Sequence, residues 1–189
     1  MRTLDWSPRK VARVAGVLYL LNFITGVAAM QLISRGAQAQ GNAVNLVASV
    51  IYTGVTVLLC YLFWPVSPVV SVIAAIASLL GCWLPIVAAH LGWALPFSNF
   101  VFFGIYCGMI GWLILRSRFM PRVVGVLMMI AGACWLTTAY PPLSHRIWPV
   151  VMGGGLLGEG ALIVWLLVRG VNEREWKEQA RWGTDRPLA

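Results

Sequence analysis

The stretch that decides the fold is PVVMGGGLLGEGALIVWLLV, residues 149–168. It holds one charged side chain, Glu159, in a run that otherwise consists of apolar residues, glycine and one proline. About twenty such residues are what an α-helix needs to cross roughly 30 Å of bilayer hydrocarbon. The stretch therefore predicts a transmembrane helix with a carboxyl group near its middle.

The rest of the chain repeats this apolar pattern. Apolar residues make up 60% of the 189 residues and charged residues 11%, which excludes an ordinary soluble domain. Six apolar blocks lie at about 14–32, 44–64, 69–89, 99–115, 123–140 and 149–168. We predict an all-α membrane protein, a six-transmembrane-helix bundle over residues 14–168. The N-terminal segment 1–13 and the charged tail 169–189 leave almost no extramembrane domain.

The basic residues predict the orientation of the bundle, because Lys and Arg are preferentially retained on the cytoplasmic side of short loops. With the N-terminus inside, twelve of the fourteen Lys and Arg residues are cytoplasmic, and only Arg35 and Arg146 lie outside. Both termini are therefore predicted to be cytoplasmic, in a bacterial cytoplasmic (inner) membrane. A cleaved signal peptide is the alternative for the N-terminus, although the apolar stretch is long for one.

The net charge of +8 favours partners that carry negative charge, which are membrane lipids or nucleic acid. The basic residues are spread over three membrane-edge segments, which favours contact with anionic membrane lipids. Nucleic acid is excluded as a partner, because its binding needs basic residues gathered on one module.

Glu159 is the only acidic residue inside a predicted span. It follows Trp148 by eleven residues, which puts it roughly 16 Å along the helix, near the bilayer midplane. An ionised carboxylate at that depth costs several kcal/mol unless it is paired or wetted. No Lys or Arg is predicted at that depth, so we expect hydrogen-bonding side chains or a polar cavity around it. The candidates are Asn22, whose amide we expect to donate to Glu159, and Tyr52, Thr53, Thr56 and Tyr106.

Glycines flank this carboxyl group. Gly154, Gly155 and Gly158 predict a groove in the sixth span that lets a neighbouring helix or a ligand come close. Two interpretations stay open for Glu159. It either binds a ligand or handles protons, or it stays protonated and joins helices by hydrogen bonds.

The other chemical signals are weaker. His90 and His145 are the only histidines, and two ligands without a third make a poor metal site, so no metal is predicted. A single metal or haem between them is the minor alternative, and the sequence identifies no cofactor. The four cysteines form no Cys-x-x-Cys pair. No phosphate loop, nucleophile elbow or zinc-protease motif occurs, so the sequence does not decide whether the protein is an enzyme.

One long pattern resembles a known family. It comprises Arg13-x-x-Gly16-x-x-Tyr19-Leu20, Asn45, Phe102-Phe-Gly104, the stretch from Gly111 to Arg122, Gly125, Ile130-Ala-Gly132 and Trp165-Leu-Leu-Val-Arg-Gly170. Over most of its length the chain resembles the bacterial membrane family called domain of unknown function 4386. The resemblance implies a multi-helix inner-membrane protein and implies no activity.

Three functions follow as hypotheses. The first is an integral membrane protein that binds a lipophilic small molecule at an intramembrane site around Glu159. The second is a non-catalytic accessory or assembly subunit, whose glycine-rich sixth helix contacts a partner or a second copy. The third is a small transporter that acts as a dimer, which would need a helix broken near the midplane, and Gly153 to Gly155 is the credible break.

Overall fold

The computed structural model describes residues 7–94 and 98–184, with the backbone alone for 182–184. Over these ranges it contains eight α-helices, one 3-10 turn and no strand, which confirms the all-α prediction. The α-helices are α1 (Pro8–Ser34), α2 (Gln38–Phe63), α3 (Pro68–Leu91), α4 (Phe100–Arg116), α5 (Arg122–Leu136), α6 (Pro141–Arg146), α7 (Trp148–Val168) and α8 (Glu173–Thr184). The 3-10 turn Thr137–Ala139 extends α5.

Local sequence sets the helix ends. The Ser7 and Ser67 side chains accept hydrogen bonds from the backbone N–H groups of Lys10 and Val70, so each caps the helix that follows. Proline begins both helices, at a position where its missing N–H breaks no helical hydrogen bond. Gly92 ends α3 with a φ of 68°, a left-handed conformation that glycine adopts without strain.

Six of the helices form a closed ring. Each contacts the next in the order α1, α2, α3, α4, α5 and α7, and α7 returns to α1. The short α6 and the 3-10 turn pack together beside this ring. We call the end where α1 begins and α7 ends the terminal end, and the opposite end the distal end. The predicted sixth span therefore corresponds to α7, with α6 in the preceding connection.

The helices have the lengths and surfaces of a multi-pass membrane protein. Five are long and apolar enough to cross a membrane when α5 is counted with its 3-10 extension as Arg122–Ala139, and α4 is a shorter apolar helix of 17 residues. The outer surface carries aliphatic side chains, with Val57, Leu157 and Val164 each about 60% exposed. Tyr19, Tyr52 and Tyr106 are buried inside. This arrangement suits the hydrocarbon core of a bilayer, because no water is present there to hydrogen-bond a polar side chain on the outer surface.

Glycines set the distance between α4 and α5. A Cβ atom on Gly132 would lie 2.7 Å from the Gly108 nitrogen and 2.9 Å from the Gly104 carbonyl oxygen. A Cβ atom on Gly125 would lie 2.9 Å from the Gly111 carbonyl oxygen. The two backbones touch along their length, which is the usual role of small residues between membrane helices.

The terminal half of the ring is packed solid. Leu59, Leu62, Phe63, Ile114 and Leu166 are all fully buried there. Interdigitated side chains of this kind leave few voids, so the main contribution of this half is packing.

The helix α8 covers the terminal end. The Trp176 indole N–H donates to the Leu62 carbonyl at 2.8 Å, and its ring packs on Tyr61 at 5.7 Å between centroids. Arg174 and Glu178 form an exposed ion pair at 3.0 Å, one of the pairs whose spacing favours a helix in the tail.

Candidate functional site

A cavity of about 440 Å³ opens inside the distal half of the ring. All six ring helices line it, through residues that include Asn22 on α1, Tyr52 on α2, Phe103 on α4, Trp135 on α5 and Glu159 on α7. The lining residues lie between the distal helix ends and the helix middles, where Tyr52 and Glu159 are. The cavity therefore has one deep end, near the middle of the bundle, and this end is where Glu159 lies.

Glu159 accepts hydrogen bonds from three other helices. The Trp135 indole N–H on α5 donates to Oε1 at 2.9 Å, and the Tyr19 hydroxyl on α1 donates to Oε2 at 3.1 Å. The Cys107 thiol on α4 makes a longer contact of 4.0 Å to Oε1. Each partner is a donor, so the three together stabilise negative charge on the carboxyl group.

Aromatic residues behind the Tyr19 hydroxyl extend this network. The Tyr19 and Tyr52 hydroxyl oxygens lie 3.4 Å apart, and the two rings meet edge to face at 5.5 Å between centroids. Tyr52 also packs on Tyr106 at 5.9 Å and on Phe103 at 5.5 Å. Tyr52 therefore joins the carboxyl site to the aromatic wall of the cavity.

Glycine makes room for the indole that reaches the carboxyl group. A Cβ atom on Gly155 would overlap the Trp135 ring, one on Gly154 would overlap the Cys134 sulfur, and one on Gly158 would overlap the Leu127 carbonyl oxygen. The three glycines of α7 thus pack against α5. Because Gly155 is one helical turn before Glu159, the missing side chain lets the Trp135 ring come close to α7 and donate to the carboxyl group.

The cavity wall around Trp135 is aromatic. Phe100 stacks on Trp135 with 4.8 Å between centroids and an 11° angle between planes. Trp148, at the start of α7, meets Phe100 edge to face at 6.3 Å. Stacked rings hold one another in fixed positions, so this wall has a defined shape.

The predicted polar residues separate into three groups. Asn22 and Tyr52 line the cavity with Glu159, although the hydrogen bonds that Glu159 accepts come from other residues than Asn22. Tyr106 is buried behind the cavity, and its hydroxyl makes no hydrogen bond of standard geometry. Thr53 and Thr56 face α3, where they bond to Trp83 at 3.0 Å and to Ser78 at 2.6 Å.

The histidines lie apart from this site. His90 is in the last turn of α3 and His145 is in α6, and both are exposed. Among the described residues no group of three or more His, Cys, Asp or Glu side chains is arranged to hold a metal ion.

Sequence reasoning missed the donors to Glu159. Trp135 lies near the end of α5, where an interfacial anchor is the ordinary interpretation of a tryptophan. In the sequence, Tyr19 belongs to the family pattern and Cys107 is one of four cysteines without a Cys-x-x-Cys pair, so neither is predicted to lie near Glu159. The missing information was which helices are neighbours, and a single sequence with no set of contacts does not contain it.

Comparison with known proteins adds the family. Residues 92–170 match the model of Domain of unknown function (DUF4386), and no curated protein or solved structure matches the chain. The match covers less than the resemblance predicted, because the patterns at Arg13 to Leu20 and at Asn45 lie outside it. It includes α4 to α7, and with them Cys107, Trp135 and Glu159. Over residues 92–170 this chain is therefore similar to the family of Domain of unknown function (DUF4386).

Proposed function

We propose that this protein is a six-span inner-membrane protein that binds a lipophilic small molecule in the distal cavity, with Glu159 as its polar anchor. The observation that carries the proposal is the position of Glu159. It lies at the deep end of a cavity of about 440 Å³, and that volume is within the roughly 300–1,000 Å³ typical of small-molecule sites. A carboxyl group that served packing alone would not need a cavity beside it.

The charge distribution supports the orientation. Three groups of basic residues lie at the terminal end: Arg9, Lys10 and Arg13 in α1, Arg116 and Arg122 around the α4–α5 connection, and Arg169 after α7. The positive-inside rule makes this end cytoplasmic. The cavity then opens toward the outer face of the membrane, and its ligand arrives from that side or from the outer leaflet.

The helix α4 counts as the sixth span in this proposal. Its 17 residues, Phe100–Arg116, cover about 25 Å at 1.5 Å per residue, which is short for a span. It lies in the ring between α3, which has 24 residues, and α5, which the 3-10 turn extends to Ala139, and these two neighbours cover its flanks. A short helix enclosed in this way is compatible with a span, because neighbouring helices and local bilayer thinning compensate for the missing length.

Native mass spectrometry tests the ligand directly. The protein is extracted gently from its own membrane, and every non-covalent mass that stays with it is recorded. We expect a small molecule on the wild type and a loss of at least tenfold in its occupancy on Glu159→Gln. The matched control is Glu173→Gln, the same chemical change on α8, which should keep the ligand. Equal occupancy in all three proteins would reject Glu159 as the anchor.

An accessory subunit is the second candidate, and one observation favours it. Gly153 and Gly160 on α7 have open space where a Cβ atom would be, and they are seven residues apart on one face. A partner or a second copy would dock on this surface. The groove of Gly154, Gly155 and Gly158 is not free for docking, because α5 fills it. A stoichiometric protein mass, lost in a Gly153→Leu variant, would favour this candidate in the same experiment.

A dimeric transporter has less support. The break expected at Gly153 to Gly155 lies inside the continuous helix α7, Trp148–Val168. A transporter built on this ring would therefore need to move whole helices around the cavity.

A further inference from the structure

We propose that the molecule bound in the distal cavity is a lipophilic cation, an amine or quaternary ammonium compound whose charged group lies at Glu159. This inference rests on the proposed function and adds the chemical class of the ligand. Three features of the cavity carry it: its charge, its aromatic wall and the positions of its amide side chains.

The charge of the cavity favours a cation. Its described lining residues include one carboxyl group, Glu159, and no Lys, Arg or His. The donors from Trp135, Tyr19 and Cys107 stabilise the carboxylate but bring no positive charge. An anionic ligand would add a second negative charge in a medium of low dielectric constant, where like charges repel strongly. A cation supplies the counter-charge that the protein itself lacks at this depth.

The aromatic wall favours the same class of ligand. Tyr52, Phe100, Phe103, Trp135 and Trp148 all line the cavity. The face of an aromatic ring carries negative electrostatic potential, and it attracts ammonium groups within about 6 Å of the ring centre. Because Trp135 both lines the cavity and donates to Glu159, a cation at the carboxyl group lies beside an aromatic ring.

Amide and hydroxyl groups complete the polar part of the site. Asn22, Asn45 and Asn99 line the cavity, together with Ser49. Their oxygen atoms accept hydrogen bonds from the N–H groups of an amine. The remaining lining is apolar, with Met30, Met152 and Leu156 among its members. The ligand therefore combines one cationic group with an apolar body.

Three probes of one shape separate charge from size. Benzyltrimethylammonium is a cation, neopentylbenzene is its neutral isostere, and phenylmethanesulfonate is an anion with a similar tetrahedral group. Binding of each is measured by equilibrium dialysis against the protein in lipid nanodiscs, and empty nanodiscs correct for partition into lipid. Thermal melting of each variant checks that it is folded.

We expect the cation to bind at least tenfold more tightly than the neutral isostere, and the anion not to bind. Glu159→Gln should lower the affinity for the cation at least tenfold and change the affinity for the neutral probe less than twofold. Phe100→Leu removes one aromatic ring and keeps the carboxyl group. It should lower the affinity for the cation about threefold more than the affinity for the neutral probe.

Equal binding of the cation and the neutral probe, or binding of the anion, would overturn the charge preference. So would the absence of binding by all three probes. The proposed function would still stand in these cases if the native ligand of the wild type were lost from Glu159→Gln in the mass spectrometry experiment. If that ligand stayed on the variant, the proposed function itself would fail.

Discussion

The terminal and distal halves of the ring are built from the same six helices but have opposite interiors. The terminal half is filled by large apolar side chains, such as Leu62, Phe63 and Leu166, and α8 covers it. The distal half encloses a cavity, with Glu159 at its deep end. The difference teaches that large apolar side chains fill the interior of the ring at one end, whereas at the other end the same helices pack closely at glycines and still leave a cavity between them.

This division predicts the largest effects on stability in the terminal half. Phe63→Ala removes a fully buried ring that packs on Phe119 at 5.8 Å between centroids. We expect the free energy of unfolding to fall by about 3–5 kcal/mol, because the space left behind cannot collapse. The matched change Phe103→Ala enlarges an existing cavity and should cost less than half as much. Reversible unfolding of both variants in detergent measures the difference, and equal losses would show that the two halves contribute alike.

A smaller effect is expected where α7 meets α5. Gly155→Ala puts a methyl group into the Trp135 ring, and overpacking of this kind costs about 1–3 kcal/mol. The displaced indole should also release Glu159, so binding of benzyltrimethylammonium should weaken at least fivefold. Gly153→Ala is the control, since a Cβ atom there meets open space and alanine favours a helix. If Gly153→Ala lowered the stability and the affinity as much as Gly155→Ala, this explanation would be refuted.

The two tyrosines of the network should differ in their effect on binding. Tyr19→Phe removes the hydroxyl that donates to Glu159 at 3.1 Å, and one such hydrogen bond contributes about 1 kcal/mol, or roughly fivefold in affinity. Tyr52→Phe removes a hydroxyl one step further away and should change the affinity less than twofold. The dialysis assay with benzyltrimethylammonium compares them. The reverse order would mean that Tyr52 contacts the ligand itself.

The smallest effect is expected on the surface of α8. Arg174→Ala breaks an exposed ion pair with Glu178, and pairs of this kind contribute little because water and salt screen them. We expect no measurable change in Tm. Trp176→Phe, on the same helix, removes the hydrogen bond to the Leu62 carbonyl and should lower Tm measurably. A drop in Tm for Arg174→Ala as large as for Trp176→Phe would mean that surface charge, not Trp176, attaches α8.

The sequence was sufficient for the helical architecture but not for the contacts of the site. Apolar blocks of about twenty residues are local signals, and they predicted the all-α fold. Glu159 stood out because a carboxyl group in an apolar run is costly. Its partner Trp135 could not be found, because its role depends on the packing of α5 against Gly155 of α7. Which helices touch is a property of the whole ring, and six apolar helices of similar composition do not specify it.

Depth in the membrane predicts only part of the site. Asn22 and Tyr52 were selected by their depth in the membrane, and both line the cavity with Glu159. Depth alone does not tell which way a side chain faces, and Tyr106, selected in the same way, is buried behind the cavity.

Accessibility of one helix from the outer face tests the central claim most directly. In a variant without the native cysteines, Asn22→Cys faces the cavity, whereas Ile24→Cys, at the same depth on α1, replaces an outward side chain that is 56% exposed. A membrane-impermeant methanethiosulfonate is added to the outer face of intact cells. The account predicts labelling of the cysteine at position 22 and protection of the one at position 24 by lipid. Labelling of neither, or labelling of position 22 only from the cytoplasmic face, would contradict a cavity that opens outward and reaches Glu159.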